Sequence, residues 1–131
     1  KSIWFMSEKT GYSHLYTMNL NNKKTKALTS GEFEIYDAFL SKDKNRWYFT
    51  SNKTHPGDRQ FYTMSLKGGK WEKLTNMVGR NDVVLSPNEE KMAILYSYSN
   101  KPTELFIQDN PIKAGQSTQA EQITEKMCLC F

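Results

Sequence analysis

A register of about 45 residues constrains this chain more than any single motif does. Ser7, Ser51 and Ser97 recur at spacings of 44 and 46 residues. Leu15-Tyr16, Phe61-Tyr62 and Leu105-Phe106 recur at 46 and 44, and Leu28-Thr29, Leu74-Thr75 and Ile123-Thr124 at 46 and 49. Ser41-Lys42-Asp43-Lys44-Asn45 returns 45 residues later as Ser86-Pro87-Asn88-Glu89-Glu90. Four separate landmarks in one register mark a repeat architecture, in which each unit buries its apolar surface against its neighbours.

The complete copy shows what the unit is. Tyr36 to Leu40, Arg46 to Ser51, Gln60 to Leu66 and Trp71 to Thr75 are rich in β-branched and aromatic residues. Turn formers separate them, which predicts four short antiparallel strands. Lys67-Gly68-Gly69-Lys70 joins the last two, and a Gly-Gly pair accepts the positive φ angles of a hairpin turn. Four strands per period of about 45 residues predict a β-propeller blade. A β-sandwich is the rival, but its strands alternate apolar with polar because one face meets water. Ile3-Trp4-Phe5-Met6, Trp47-Tyr48-Phe49 and Met92-Ala93-Ile94-Leu95-Tyr96 are apolar on both faces, as befits a sheet between two others.

The expected fold is all-β, a partial β-propeller of about three four-stranded antiparallel blades. Closed rings typically hold four to eight. The 131 residues are expected to form one propeller fragment. Residues 1–33 are an incomplete blade, 34–78 a complete one, 79–126 a blade with a looser last strand, and 127–131 an apolar tail. The chain opens at Lys1, without an initiator Met, in what reads as a second strand, so a piece of a longer protein is expected. In the first copy, strands are expected at Ser2 to Ser7, Leu15 to Leu20 and Lys26 to Thr29, with Asn21-Asn22 as a hairpin turn. In the third they are expected at Asn81 to Ser86, Met92 to Ser97, Glu104 to Gln108 and near Glu121 to Thr124. The connection from Asn110 to Ser117 reads as longer and looser than its counterparts. The apolar tail is expected either to be an unnatural end or to pair as a strand.

Charge and cysteine usage narrow the function classes. The net charge is +4, from 18 basic and 14 acidic residues, and the lysines are scattered through turns. Nucleic-acid binding calls for a clustered basic patch with exposed aromatics, so no nucleic-acid partner is expected. No run approaches the roughly 18 apolar residues of a membrane helix, so no membrane segment is expected. Cys128 and Cys130 sit at i and i+2, a poor geometry for an intrachain disulfide, and His14 and His55 are far from them in sequence. No metal or cofactor is expected.

Catalytic signatures are equally sparse. Gly11-Tyr12-Ser13-His14-Leu15 and Gly115-Gln116-Ser117-Thr118-Gln119 each lack the second glycine of a G-x-S-x-G nucleophile elbow. Glu89-Glu90 is a carboxylate pair, but it follows Ser86-Pro87 and reads as a solvated turn. His14 reads as a residue that holds a turn by hydrogen bonds. Asp58-Arg59 in the polar connector Asn52 to Arg59 reads as a surface ion pair, and Asn52-Lys53-Thr54 is formally a glycosylation sequon. No catalytic residue is expected on this chain.

One ordered set of phrases resembles a known family. Trp4-Phe5-Met6-Ser7-Glu8-Lys9-Thr10-Gly11-Tyr12-Ser13-His14-Leu15-Tyr16 is similar to the phrase that opens the late blades of the dipeptidyl peptidase IV family propeller. Leu28-Thr29-Ser30-Gly31, Tyr48-Phe49-Thr50-Ser51-Asn52, Gly57-Asp58-Arg59-Gln60-Phe61-Tyr62 and Leu85-Ser86-Pro87 follow in the same order. Tyr96-Ser97-Tyr98-Ser99-Asn100-Lys101-Pro102 looks like the bacterial branch. The resemblance covers roughly residues 2–110.

This resemblance implies a non-catalytic propeller part of a serine exopeptidase, walling a cavity and gating peptide access. The implied partners are an α/β-hydrolase domain in the parent chain and peptide substrates, and the implied location is periplasmic or exported. The family's substrate-binding glutamate pair lies on an earlier propeller insertion, so its role does not transfer to Glu89-Glu90. The alternative is a TolB-like propeller scaffold with no peptidase domain. Open blade faces also suggest self-association.

Overall fold

The computed structural model describes residues 1–123, and through them the chain builds three antiparallel sheets one after another. The first contains β1 (Ser2–Ser7), β2 (His14–Asn19) and β3 (Thr25–Ala27). The second is a meander of β4 (Ile35–Leu40), β5 (Arg46–Ser51), β6 (Gln60–Ser65) and β7 (Glu72–Lys73). The third runs β8 (Arg80–Leu85), β9 (Lys91–Tyr98), β10 (Lys101–Asp109) and β11 (Glu121–Gln122), with helix α1 (Pro111–Ala114) between the last two strands. Every sheet pairs neighbours in chain order, so the all-β expectation holds, with three to four strands per sheet.

The middle sheet is buried on both faces. Trp47 and Phe49 of β5, with Tyr62 and Met64 of β6, meet Leu15 and Leu28 of the first sheet. Tyr48 and Phe61, from the opposite face of the same two strands, meet Met92 and Ile94 of the third. Trp4 of β1 reaches Trp47 edge-on at a centroid distance of 5.7 Å. Each large apolar side chain buried this way contributes about 1.5–3 kcal/mol. Two cores on either side of one sheet explain why Trp47-Tyr48-Phe49 carries no polar residue.

The outer sheets depart from that expectation. Ile3 is 43% exposed on β1 and Leu95 47% exposed on β9. Among the described residues each outer sheet has a neighbour on one side only: on β9, Met92 and Ile94 are buried while Leu95 is exposed, and on β1 Trp4 and Met6 are exposed as well as Ile3.

Other local details also correct the sequence reading. In the β2–β3 turn the left-handed residue is Lys23 (φ 58°), not an asparagine. The asparagines act as acceptors instead, Asn19 Oδ1 for Asn21 N–H and Asn22 Oδ1 for Lys24 N–H. Gly68 and Gly69 do take positive φ in the β6–β7 turn. The segment after β10 is not loose. Buried Asn110 caps α1 through the Ile112 N–H, and left-handed Gly115 ends the helix, with its N–H donating to Pro111. The apolar tail, Cys128 and Cys130 lie outside the described residues.

Candidate functional site

Two seams hold adjacent sheets together, and a cleft opens beside the second. At the first seam, Ile35 N–H donates to the Ser13 carbonyl at 2.9 Å, and Ser13 N–H is shared by both oxygens of the Glu34 carboxylate at 3.2 Å. At the second, Arg59 N–H donates to the Gly79 carbonyl and Asn81 N–H to the Arg59 carbonyl, both at 2.9 Å. Those bonds make a parallel bridge between Arg59 and Arg80. Asn81, wholly buried, fastens the seam further by donating from Nδ2 to the carbonyls of Arg59 and Met77 at 2.9 Å.

A clamp sits beside each seam. His14 Nε2 donates to the Gly31 carbonyl at 2.8 Å, and Nδ1 lies 2.9 Å from Thr29 Oγ1. The Thr29 hydroxyl oxygen also accepts the Leu15 N–H. His14 is buried, with Phe33 edge-on to its ring at 5.1 Å. Both ring nitrogens are therefore committed to holding the turn, as the sequence suggested.

Glu89 overturns the solvated-turn reading. It is only 6% exposed, adopts a left-handed backbone (φ 62°), and its Oε2 accepts the Lys42 N–H of the middle sheet at 3.0 Å. Its carbonyl accepts from Asn110 Nδ2, which also donates to the Tyr48 hydroxyl at 3.2 Å. Burial pushes the Tyr48 hydroxyl pKa up, partly offset by that Asn110 bond. Glu90 remains exposed, so the two carboxylates have separate roles and form no acid–base pair.

A cleft of about 540 Å³ opens at the second seam, where strands β8 and β9 meet the β5–β6 connector. His55, Gly57 and Asp58 form one wall, Val78 to Arg80 the floor, and Ser97, Tyr98 and Ser99 the other wall. The expected Asp58–Arg59 ion pair is replaced by two separate contacts. Asp58 Oδ1 accepts the Gly79 N–H at 3.1 Å, and the Arg59 guanidinium lies 4.0 Å from the centre of the Tyr36 ring. Arg80 pairs instead with Asp82 at 2.7 Å on the same strand. Gly79 has φ 131°, and a Cβ there would come within 2.7 Å of the Ser97 carbonyl oxygen, so the floor requires glycine.

The cleft offers hydroxyls, an imidazole, an exposed aromatic ring and a half-neutralised guanidinium. Such a lining suits binding of a polar or extended ligand. His55 Nδ1 accepts the Gly57 N–H at 2.9 Å, which stabilises the Pro56-Gly57 turn. Among the described residues, no group of three or more His, Cys, Asp or Glu side chains comes together to hold a metal ion. Sequence reasoning missed Arg80 and Tyr98 as cleft residues, and Tyr36 and Asp82 as the partners of Arg59 and Arg80. The available signal was Arg80-Asn81-Asp82, a polar run that opens β8 before the apolar Val83-Val84-Leu85.

The family model of the dipeptidyl peptidase IV (DPP IV) N-terminal region matches residues 1–103. A probable dipeptidyl-aminopeptidase B of Aspergillus fumigatus is 33% identical over 102 residues, which is 74% of this chain and 11% of the relative. The dipeptidyl-aminopeptidase B of Aspergillus niger is 39% identical over 69 residues, 50% of this chain and 8% of the relative. A probable dipeptidyl peptidase 4 of Neosartorya fischeri is 39% identical over 64 residues, 47% of this chain and 8% of the relative. The aligned part of the chain thus spans about a tenth of the length of these relatives. They are fungal, and they lend no support to the bacterial branch expected from Tyr96 to Pro102. Among the described residues no helix is long and apolar enough to cross a membrane. With the family model covering most of its residues, this chain belongs to the dipeptidyl peptidase IV N-terminal region family.

Proposed function

We propose that this chain is a non-catalytic part of the β-propeller of a dipeptidyl peptidase IV-like serine exopeptidase, where it walls a central cavity and restricts entry to peptides. The observation that carries this reading is the middle sheet, filled on one face by Trp47 and Phe49 against the first sheet and on the other by Tyr48 and Phe61 against the third. Sheets that bury both faces on copies of themselves stack as blades do. In this reading the blades divide near residues 33 and 78. The first strand of each complete blade, β4 and β8, faces the cavity, and the cleft beside Arg80 and Tyr98 lies on the path of an entering peptide.

The partners follow from the same reading. An α/β-hydrolase domain elsewhere in a longer chain supplies the nucleophile, peptides are its substrates, and the protein is exported.

The test is hydrolysis of dipeptide-proline reporters by the complete protein encoded at the source locus and by the purified 131-residue chain. The complete protein is expected to be active and the short chain inert. Tyr98→Ala in the complete protein is expected to alter KM for long peptides several-fold while leaving the dipeptide reporters unchanged. Activity in the short chain, or a locus that encodes no hydrolase domain, overturns the proposal; the latter outcome favours a scaffold of the TolB type.

A further inference from the structure

Lysines that lie scattered along the sequence come together at one end of the sheets. In an antiparallel meander alternate turns share an end, and the strand register fixes which one. Ser2 opposite Asn19 and Met18 opposite Thr25 put the β2–β3 turn, with Lys23 and Lys24, at the end where β1 begins. Arg46 opposite Ser65 puts the β4–β5 turn, with Lys42 and Lys44, beside the β6–β7 turn, with Lys67 and Lys70. Leu66 N–H joins those two turns by donating to the Asn45 carbonyl at 3.1 Å. Across the sheets, Lys26 and Lys67 line one notch of about 270 Å³, and the Glu89 carboxylate ties the β8–β9 turn to Lys42. The three sheets thus present these turns along a single rim, at strand ends rather than on the outer sheet faces.

Charge on that rim is one-sided. The six turn lysines are all exposed, as are Lys26 and Lys113 of the same end. Among the described residues the ion pairs are Arg80 with Asp82 and Lys91 with Asp109, so these eight lysines hold their charge toward solvent. The nearby carboxylates are engaged within their own turns. Asp43 accepts from the Ser41 hydroxyl at 2.6 Å and the Asn45 N–H at 3.0 Å, Glu90 accepts from Asn88 Nδ2 at 3.0 Å, and Asp109 is taken by Lys91. The opposite end is balanced. Its connectors (residues 8–13, 28–34, 52–59, 76–79 and 99–100) set Glu8, Glu32, Glu34 and Asp58 against Lys9, Lys53 and Arg59.

We infer that this rim is a docking and steering surface for acidic peptides, a substrate class that deepens the peptidase reading and rests on it. Like charges spread over three sheets set up a field that reaches beyond contact and raises the encounter rate with an oppositely charged partner. Lysine is a compact, hydrated charge on a flexible stem, which suits a mobile partner better than a planar fork would. Among the described residues no aromatic ring stands in these turns to stack on bases, which argues against nucleic acid. Asp43 and Glu90 are exposed between the lysines, so a flat anionic bilayer would be pressed against them, whereas a flexible chain can pass around them. In the propeller reading β4 faces the cavity, which sets Lys42 and Lys44 at its mouth.

The experiment is fluorescence anisotropy of two labelled peptides with the complete protein, one carrying a run of glutamates and the other serines at the same positions. Charges act over roughly 30 Å at about 0.01 M salt and over roughly 3 Å at about 1 M. The glutamate peptide is expected to bind at least about fivefold tighter at low salt, and to lose that advantage at high salt. Lys42→Gln combined with Lys44→Asn is expected to weaken its binding several-fold. Lys9→Gln combined with Lys101→Gln makes the same change in charge away from the rim and is expected to weaken it far less. Asparagine tolerates the left-handed backbone of Lys44 (φ 59°), and circular dichroism checks that each variant folds; the salt series needs no substitution. No preference for glutamate, a preference that survives high salt, or equal losses in the two double variants overturns the inference. Tighter binding to phosphatidylserine–phosphatidylcholine vesicles or to duplex DNA than to the glutamate peptide overturns the choice of partner. Hydrolysis of the dipeptide-proline reporters is read separately. A protein that cleaves them without preferring acidic peptides overturns the rim alone, and one that selects acidic peptides but cleaves nothing overturns the peptidase reading alone.

Discussion

His14 and Gln60, 46 residues apart, occupy one position in successive sheets and make the same hydrogen bonds with different side chains. His14 Nε2 reaches the Gly31 carbonyl at 2.8 Å, and Gln60 Nε2 reaches the Met77 carbonyl at 2.8 Å. His14 Nδ1 faces Thr29 Oγ1, and Gln60 Oε1 accepts from Thr75 Oγ1. Each threonine oxygen also accepts a backbone N–H, from Leu15 and Phe61 respectively. An imidazole and a carboxamide are interchangeable here because each can offer one donor and one acceptor on the same side of the sheet.

This equivalence predicts that His14→Gln keeps stability within about 1 kcal/mol, because the donor and acceptor survive. His14→Leu is expected to cost about 1–3 kcal/mol, since the buried Thr29 hydroxyl loses its acceptor, while the Gly31 carbonyl lies at the surface and can turn to water. Urea denaturation followed by tryptophan fluorescence measures both. Equal losses in the two variants would show that the clamp contributes only volume.

Glu89 ties the turn before β9 to the turn before β5, 47 residues away in sequence. Glu89→Ala is expected to destabilise by about 1.5–3 kcal/mol, because a charge-assisted bond to a partly buried N–H is lost. Glu89→Gln retains an acceptor and should lose less than half as much. Glu89→Gly should fall between Ala and the parent, since glycine relieves the left-handed backbone. Midpoints of denaturant unfolding give the order.

Asn110 does three things at a fully buried position. It caps α1, donates to the Tyr48 hydroxyl, and donates to the Glu89 carbonyl. Asn110→Asp keeps the cap acceptor and loses both donors, whereas Asn110→Ala loses all three. About 1 kcal/mol for the cap, added to the 1–3 kcal/mol typical of an unpaired buried group, predicts a loss of about 2–4 kcal/mol for Ala. Hydrogen exchange at Ile112 separates the variants: protection should survive in Asp and vanish in Ala.

Alkaline stability is set in part by Tyr48 and Tyr62, whose hydroxyl pKa values burial raises above the ordinary value near 10. A group with a raised folded pKa contributes stability that is complete below its unfolded pKa and is lost as pH rises through the folded one. The melting temperature is therefore expected to hold steady up to about pH 10 and fall above it. Tyr48→Phe should flatten part of that fall. Ultraviolet titration of phenolate, run beside the melting curves, should show ionisation of these two tyrosines lagging behind the exposed ones.

Strand positions were largely legible in the sequence because they depend on short-range rules. β-branched and aromatic runs between turn formers predict β1, β4, β5, β6, β8 and β9 to within a residue or two at each end. The turn at Ser86 to Glu90 copies the one at Ser41 to Asn45, down to a left-handed residue at Lys44 and at Glu89. A period of about 45 residues was enough to show that the sheets are repeats.

The tertiary structure decided what those elements meet, because the deciding contacts join residues tens of positions apart. Nothing near Glu89 in the chain indicates that its carboxylate reaches Lys42, and nothing near Asn110 points to Tyr48, 62 residues earlier. Apolar strands likewise cannot declare how many neighbours they have. Tyr48 and Phe49 are buried on opposite faces because a sheet stands on either side of them, while Ile3 and Leu95 are exposed because theirs stand at the ends. Local pattern determined the strands and their period; burial on both faces, and the cleft at the seam, came only from how the sheets stack.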